Sequence, residues 1–225
     1  MPAICGAKHF ILFIDDYTRM TWVYFLKVKS HEETLEAFQV FKATAEKTCG
    51  HLIRRFRCDN GRGEYDNRFF LKFLSAEGIS YQPATLYTQN QNSVSERKIR
   101  TIVERARTML LEASLPERFW ADTVATVVYI LNSSPTKALT GKTPFEPWFG
   151  HQPNLAHLRH FGCDAYLHIP DAQRTKLKPK AGLCTCLGYM PNTTKQWRLW
   201  DGTQQKIVLG SYVRFNENGF GNRRP

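Results

Sequence analysis

The chain is 225 residues long, with 42% hydrophobic and 13% aromatic residues. That apolar content is enough for a packed core, so it excludes a wholly disordered protein. No apolar run approaches the roughly 20 residues of a membrane-spanning helix, and we expect no membrane partner. The six cysteines have the spacing of neither a disulfide framework nor a paired zinc site, so we expect reduced thiols in an intracellular protein.

Positive charge is concentrated in the last third of the chain. The net charge is +11, and residues 151–225, with eleven basic and four acidic residues, contribute +7 of it. A basic region on a near-neutral body favours a polyanionic partner, most simply nucleic acid. The alternative is a solvated Lys and Arg surface that has no partner.

The first 58 residues predict two strands, a helix and a third strand. The predicted strands are residues 10–14, 21–26 and 52–58, and the predicted helix follows Ser30 and ends at Gly50. The short link between the first two strands predicts an antiparallel hairpin. Ser30, with Glu33 three residues later, predicts a capping box at the start of the helix. The third strand would carry Asp59 at its carboxyl end.

The next part of the chain is mostly helical by pattern. We predict a helix over residues 67–76, a strand over 79–82, a mobile polar loop over 83–92, and helices over 94–113 and 116–132. The inward residues of the first helix are Phe69, Phe70, Phe73 and Leu74. The apolar arc of the long helix consists of Ile99, Ile102, Val103, Ala106, Met109, Leu110 and Ala113. Glu96 lies at the edge of this arc, so we expect it to face the sheet.

After His151 the pattern changes to short strands separated by turn residues. We predict strands at residues 165–169, 181–189, 196–200, 206–209 and 212–215, which together indicate a small β-barrel module. A loop before the second of these strands has a basic side chain at every second position: Arg174, Lys176, Lys178 and Lys180. This loop is predicted to follow a phosphate backbone, and a solvated basic loop is the alternative.

Two acids stand in motifs that suit phosphodiester chemistry, with 36 residues between them. Asp59 follows a predicted strand, and Glu96 opens a predicted helix beside Arg97, Lys98 and Arg100. Two divalent metal ions can activate an attacking oxygen and neutralise a leaving one, and carboxylates hold such ions. The three basic residues would hold the phosphates. The alternative is a simple turn at Asp59 and a favourable acid near a helix N-terminus at Glu96.

Taken in order, the motifs resemble the integrase of copia-type LTR retrotransposons over nearly the whole chain. The matching blocks are residues 13–19, 21–24, 59–61, 63–65, 96–97, 115–121, 131–136, 144–150 and 158–163. The resemblance implies an α/β fold: an RNase H-like core, with a mixed sheet flanked by helices, followed by a small SH3-like β-barrel. We accordingly assign residues 1–150 to the core, 153–217 to the β module and 218–225 to a disordered tail.

The resemblance also implies DNA 3′-end processing and strand transfer by three acids with Mg²⁺ or Mn²⁺. Asp59 and Glu96 match the second and third acids and would be both catalytic residues and metal ligands. The family's first acid, the first strand of the core that carries it and the zinc-binding domain would precede residue 1, and Arg62 adds one residue to the usual spacing. We therefore expect the chain alone to be inactive. Asp15 and Asp16 match non-catalytic positions and are the alternatives for the missing ligand.

Further expectations concern partners and location. The resemblance implies binding to element cDNA ends and target DNA, with RNA left open, and partnership with other polyprotein products such as reverse transcriptase. It also implies a homo-oligomer, and location in the nucleus and in cytoplasmic virus-like particles. Two alternative functions are a non-catalytic nucleic-acid-binding or assembly remnant and an RNase H-type nuclease.

Overall fold

The computed structural model describes residues 1–58, 65, 67–83, 89–175, 177–191 and 193–219, with the backbone alone at 89–93 and 173. The first region contains β1 (His9–Ile14), β2 (Thr21–Leu26), α1 (His31–Cys49), β3 (Arg55–Cys58), α2 (Arg68–Ala76), β4 (Ser80–Pro83), α3 (Gln89–Glu112), α4 (Trp120–Asn132) and α5 (Phe145–Phe149). The second contains β5 (Asp164–His168), β6 (Ala181–Met190), β7 (Thr193–Asp201), β8 (Lys206–Gly210) and β9 (Val213–Asn216). None of the described helices is both long and apolar enough to cross a membrane.

The strands of the first region form two separate pairs. β1 and β2 are antiparallel, with Phe13 opposite Trp22, and β3 and β4 are parallel, with Phe56 opposite Tyr81. Among the described residues no hydrogen-bonded ladder joins one pair to the other. The mixture of antiparallel and parallel pairings agrees with the predicted mixed sheet.

Helix α1 begins with only half of the predicted capping box. The Ser30 hydroxyl accepts a hydrogen bond from the Glu33 backbone N–H at 3.3 Å, as predicted. The Glu33 carboxylate instead accepts the backbone N–H groups of Lys27 and Val28, at 2.8 and 3.1 Å. It therefore fastens the chain between β2 and α1 to the first turn of the helix.

The side chain of Phe38 in α1 connects the two pairs of strands. It is fully buried, and its ring centroid lies 5.6 Å from Phe13 in β1, 4.8 Å from Phe56 in β3 and 5.4 Å from Phe70 in α2. Aromatic rings at these separations pack favourably in addition to burying apolar area. This aromatic cluster holds the two pairs under one helix although no backbone ladder joins them.

Helix α4 packs against α3, the β1–β2 hairpin and the β module. Val124, Val127 and Val128 pack with Ile102 and Ala106 of α3, and this cluster covers the second face of the β1–β2 hairpin. At its end, the buried Asn132 side chain accepts the Thr21 backbone N–H at 3.0 Å and donates to the Thr21 carbonyl at 2.7 Å. The amide thus pairs with the first residue of β2 as a neighbouring strand would.

The β module is a five-stranded antiparallel sheet in the order β8-β7-β6-β5-β9. Its central strand β6 is buried on both faces over residues 184–189. Cys184 packs with Ala165 and Leu199 within the module, whereas Leu187 packs with Phe119 and other residues of the helical region. The alternation of a half-exposed strand is absent because α4 covers the outer face of β6.

Polar contacts and one close approach fasten α4 to the module. The Thr126 hydroxyl lies 2.9 Å from the Asp122 carbonyl and 3.0 Å from the Leu187 carbonyl. The buried Asp122 carboxylate accepts two N–H groups of Arg198, at 3.2 and 2.6 Å. Gly188 has φ +117°, and a Cβ at this position would lie 2.0 Å from the Thr126 hydroxyl oxygen. Only glycine allows this contact between helix and strand without displacement.

Three predictions about individual apolar residues are wrong. Phe69 is 65% exposed and stacks on His31, with ring centroids 5.8 Å apart. Ile99 and Val103 of α3 are 43% and 47% exposed, although Ile102 and Ala106 are buried as predicted. The apolar arc of α3 is wider than the strip that α4 covers, so its edge remains in solvent.

Replacing Gly188 with Ala should destabilise the chain by about 2–4 kcal/mol, because overpacking adds to left-handed strain. Gly50 is the matched control: it has φ +71°, and no atom lies within 4 Å of the position that a Cβ would take, so Gly50→Ala should cost about 1 kcal/mol. Urea unfolding of both variants measures the difference. Equal losses at the two glycines would contradict the close approach of α4 and β6.

Candidate carboxylate site and nucleic-acid interface

The predicted acid Asp59 lies outside the described residues, as do residues 60–64. Strand β3 ends at Cys58, the residue before it, and Phe56 and Cys58 are buried in the core. The strand that was predicted to carry Asp59 is therefore present, although it begins at Arg55 rather than at residue 52. The role of Asp59 stays a prediction.

Glu96 lies inside α3 rather than at its start. The helix begins at Gln89, so Glu96 is about two turns in, and its side chain is exposed. The predicted loop over residues 89–92 is wrong, because neither proline nor glycine interrupts the helix there and glutamine is a good helix former. Glu96 therefore gains little from the helix dipole, which acts within the first turn. The expectation that it faces the sheet is also wrong.

Helix α3 separates the basic residues that were predicted to bind DNA. At 100° per residue, Arg100 lies near Glu96 on one flank, whereas Lys98 lies near Arg105 on the opposite flank. Arg97 and Arg100 are exposed, but Lys98 is half-buried. Burial lowers the pKa of Lys98, and the positive charges of Arg105 and Arg19 lower it further. Arg19 was not singled out in the sequence, since only the fold brings the hairpin to α3.

The aspartates considered as substitute ligands are engaged in the β1–β2 turn. The Asp15 carboxylate accepts the backbone N–H and the hydroxyl of Thr18, both at 2.7 Å, and Asp16 pairs with Arg19 at 2.7 Å. Arg19 has φ +60°, which the turn requires. In the described part of the chain, no three His, Cys, Asp or Glu side chains are grouped so as to hold a metal ion.

The basic loop of the β module is only partly available to a polyanion. Lys178 and Lys180 are exposed, and Lys176 lies outside the described residues. The guanidinium of Arg174 forms an ion pair with Asp171 and is largely buried. A phosphate would therefore have to compete with Asp171 for Arg174, but not for the two exposed lysines.

A cleft of about 410 Å³ lies between α3, α4 and the β module. Its lining contains two carboxylates, Glu112 at 3.5 Å from His160 and Glu217 at 3.7 Å from Arg159. Each carboxylate already faces a basic side chain, so the cleft has no excess positive charge with which to attract a phosphate.

Residues 163–225 match the family model of the retroviral polymerase SH3-like domain. A chain of the simian T-cell lymphotropic virus intasome, solved in complex with PP2A regulatory subunit B56 gamma, aligns with 92% of this chain and 71% of its own length, at 12% identity and a TM-score of 0.51. The HTLV-2 integrase catalytic core domain in complex with magnesium aligns with 60% of this chain and 80% of its own length, at 20% identity and a TM-score of 0.46.

Sequence similarity extends over almost all of the chain. It is 40% identical over 213 residues to the retrovirus-related Pol polyprotein from transposon TNT 1-94 of Nicotiana tabacum, which covers 95% of this chain. The chain is homologous to a region of retrovirus-related Pol polyproteins of plant transposons. The predicted RNase H-like core and SH3-like module are confirmed. The matched region spans 16% of the length of the tobacco relative.

Asp15 should stabilise the β1–β2 hairpin whereas Asp16 should not. Asp15→Ala removes the acceptor of two hydrogen bonds and is expected to cost about 1–3 kcal/mol. Asp16→Ala removes an exposed ion pair and is expected to change stability by less than about 1 kcal/mol. Thermal unfolding at matched ionic strength measures both. A larger loss for Asp16→Ala would contradict the description of this turn.

Proposed function

We propose that this chain acts in DNA integration, as the core and SH3-like module of an integrase that joins element DNA ends to target DNA. The observation that carries the proposal is the 40% identity to a transposon Pol polyprotein over 95% of the chain. The net charge of +11 supports the proposal, because binding to a phosphate backbone is largely electrostatic. The chain spans about a sixth of that relative, so strand transfer is proposed for the larger protein.

Asp59 and Glu96 are the proposed catalytic and metal-binding residues, with Mg²⁺ or Mn²⁺ as the proposed cofactor. The described residues do not by themselves fit a metal ion, because Glu96 is an exposed carboxylate with no two further ligands grouped around it. We therefore derive no step through a metal. What this chain's described residues can do is bind and orient DNA.

The exposed basic side chains would hold DNA by its phosphates. Arg97 and Arg100 lie on α3 near Glu96, and Lys178 and Lys180 lie on the loop between β5 and β6. Helix α4 packs against α3 and is hydrogen-bonded to the β module, so core contacts connect the elements that carry the two basic surfaces. Contacts to phosphates fix the position of a duplex without reading its sequence.

Partners and location follow from the same proposal. The simian virus neighbour is part of an intasome. For this chain we propose element cDNA ends and target DNA as ligands, other products of the polyprotein such as reverse transcriptase as partners, and a homo-oligomer as the acting form. The proposed locations are the nucleus and cytoplasmic virus-like particles.

A second candidate is a non-catalytic nucleic-acid-binding or assembly protein. The engagement of Asp15 and Asp16 in the hairpin turn favours it, because neither carboxylate is available to complete a group of three with Asp59 and Glu96. Both candidate functions require DNA binding. Only the first requires Asp59 and Glu96 to take part in catalysis in the larger protein.

The purified chain should bind a short DNA duplex. The logarithm of its affinity should fall linearly with the logarithm of the salt concentration, so that the affinity decreases by about tenfold or more between 50 and 200 mM salt. Fluorescence anisotropy measures this. In Mg²⁺ or Mn²⁺ the 225-residue chain should leave labelled DNA ends unjoined, because bridging two ions takes more carboxylates than Asp59 and Glu96 supply.

The control variants are Asp59→Asn and Glu96→Gln. Neither should weaken DNA binding, since each removes a negative charge from the vicinity of phosphates. End joining that Glu96→Gln abolishes would contradict the inactivity of the isolated chain. Absence of binding at 50 mM salt would contradict both candidate functions.

A further inference from the structure

The helical region covers the outer face of the β module over only part of its width. On this face Thr185 of β6 lies opposite Trp200 of β7 and opposite Asp164 of β5, and all three are buried. Trp200 packs against Phe119 of the helical region, which identifies this as the covered face. Side chains two positions apart on a strand point to the same face. Two positions before Thr185, at Leu183, the cover has ended.

An exposed row of side chains crosses three strands at this point. Tyr166 of β5 lies directly opposite Leu183 of β6 on one side and Arg214 of β9 on the other. Residues paired in this way point to the same face, with their Cβ atoms roughly 5 Å apart. Leu183 is 53% and Tyr166 40% exposed, and Arg214 is exposed as well. The row therefore presents two adjacent large apolar side chains and a cation to solvent.

The surroundings of this row are basic. Lys180 directly precedes β6, and its carbonyl accepts the Ile169 backbone N–H at 2.9 Å, just after the end of β5. Lys178 lies two residues earlier in the same loop, and both lysines are exposed. Within the part of the chain that the structure describes, no carboxylate forms an ion pair with Lys178, Lys180 or Arg214. The apolar pair is thus flanked by cations that a partner could neutralise.

We propose that the row of Leu183, Tyr166 and Arg214 is a docking surface for an acidic segment of a protein partner that contains a large apolar side chain. The apolar side chain of the partner covers Leu183 and Tyr166, and its carboxylates pair with the cations around them. Residues 151–225 carry a net charge of +7, which attracts an acidic segment before contact is made.

Charge and surface chemistry favour this occupant over two others. A second copy of the chain that docked through the same row would bring the same cations together, and like charges repel. A DNA duplex offers phosphates to the cations but would leave Leu183 and Tyr166 uncovered, because its contacts to basic side chains are mainly electrostatic. The inference therefore goes beyond the proposed DNA binding and does not depend on it.

The test uses two short fluorescent peptides and the purified 225-residue chain. One peptide consists of glutamates around two central leucines, and the other has serines in place of the leucines. At low ionic strength the leucine peptide should bind more tightly than the serine peptide, as measured by anisotropy, because only the former can bury Leu183 and Tyr166. A peptide with lysines in place of the glutamates should not bind.

Substitutions on the chain separate the apolar contribution from the charge contribution. Leu183→Thr should weaken binding of the leucine peptide by about fivefold, because roughly half of a leucine side chain is left without its apolar cover. Leu209→Thr is the matched control, since Leu209 of β8 is 51% exposed but lies outside the row, and it should leave the affinity unchanged. Arg214→Gln should weaken binding of both peptides, and Lys195→Gln, which removes an exposed charge from β7, should weaken them less.

Three outcomes would overturn the proposal. One is that neither peptide binds at low ionic strength. Another is that both peptides bind equally, or that Leu183→Thr and Leu209→Thr have equal effects, which would indicate a polyanion surface without an apolar site. Threonine suits a strand, so the Tm of both leucine variants should match that of the unsubstituted chain. A loss of binding is then not a loss of folding.

NMR locates the peptide without any substitution. The leucine peptide should shift the backbone amide signals of Tyr166, Leu183 and Arg214 and leave that of Leu209 in place. Shifts confined to residues outside the row would be the third outcome that overturns the docking surface.

Discussion

The packing of α4 is the constraint on which the rest of the structure depends. Its valines face α3 and the β1–β2 hairpin, Asn132 binds the backbone of Thr21, and Thr126 meets β6 at Gly188. A helix buried on so many sides cannot shift without breaking several contacts, since packed interiors have no free volume for movement. It therefore determines where the hairpin, α3 and the β module lie relative to one another.

The rotation of α3 follows from this packing and in turn determines which charges face which neighbour. Ile102 and Ala106 are held against α4, so Lys98 and Arg105 point to one side of the helix and Glu96 and Arg100 to the other.

Local sequence signals predicted the ends of helices and strands well where a single physical cause determines those ends. The strand Thr21–Leu26 agrees at both ends with the prediction, because its β-branched and aromatic residues are bounded by turn residues. Ser30 caps its helix through its side chain, as predicted. The failures have a common cause. Ile99, Val103 and Phe69 are apolar at helical spacing, but a pattern does not say how wide a strip the neighbouring element covers.

The amino-acid sequence by itself determined the order of the elements, the family and the basic charge, because hydrophobic period, capping residues and motif order are local properties of a chain. Tertiary structure alone decided the burial of Asp122 against Arg198 and the close approach of Gly188 to Thr126. These contacts join residues separated by 76 and 62 positions along the chain. Only long-range packing brings such residues together, and it changes the charge environment on which the proposed DNA binding depends.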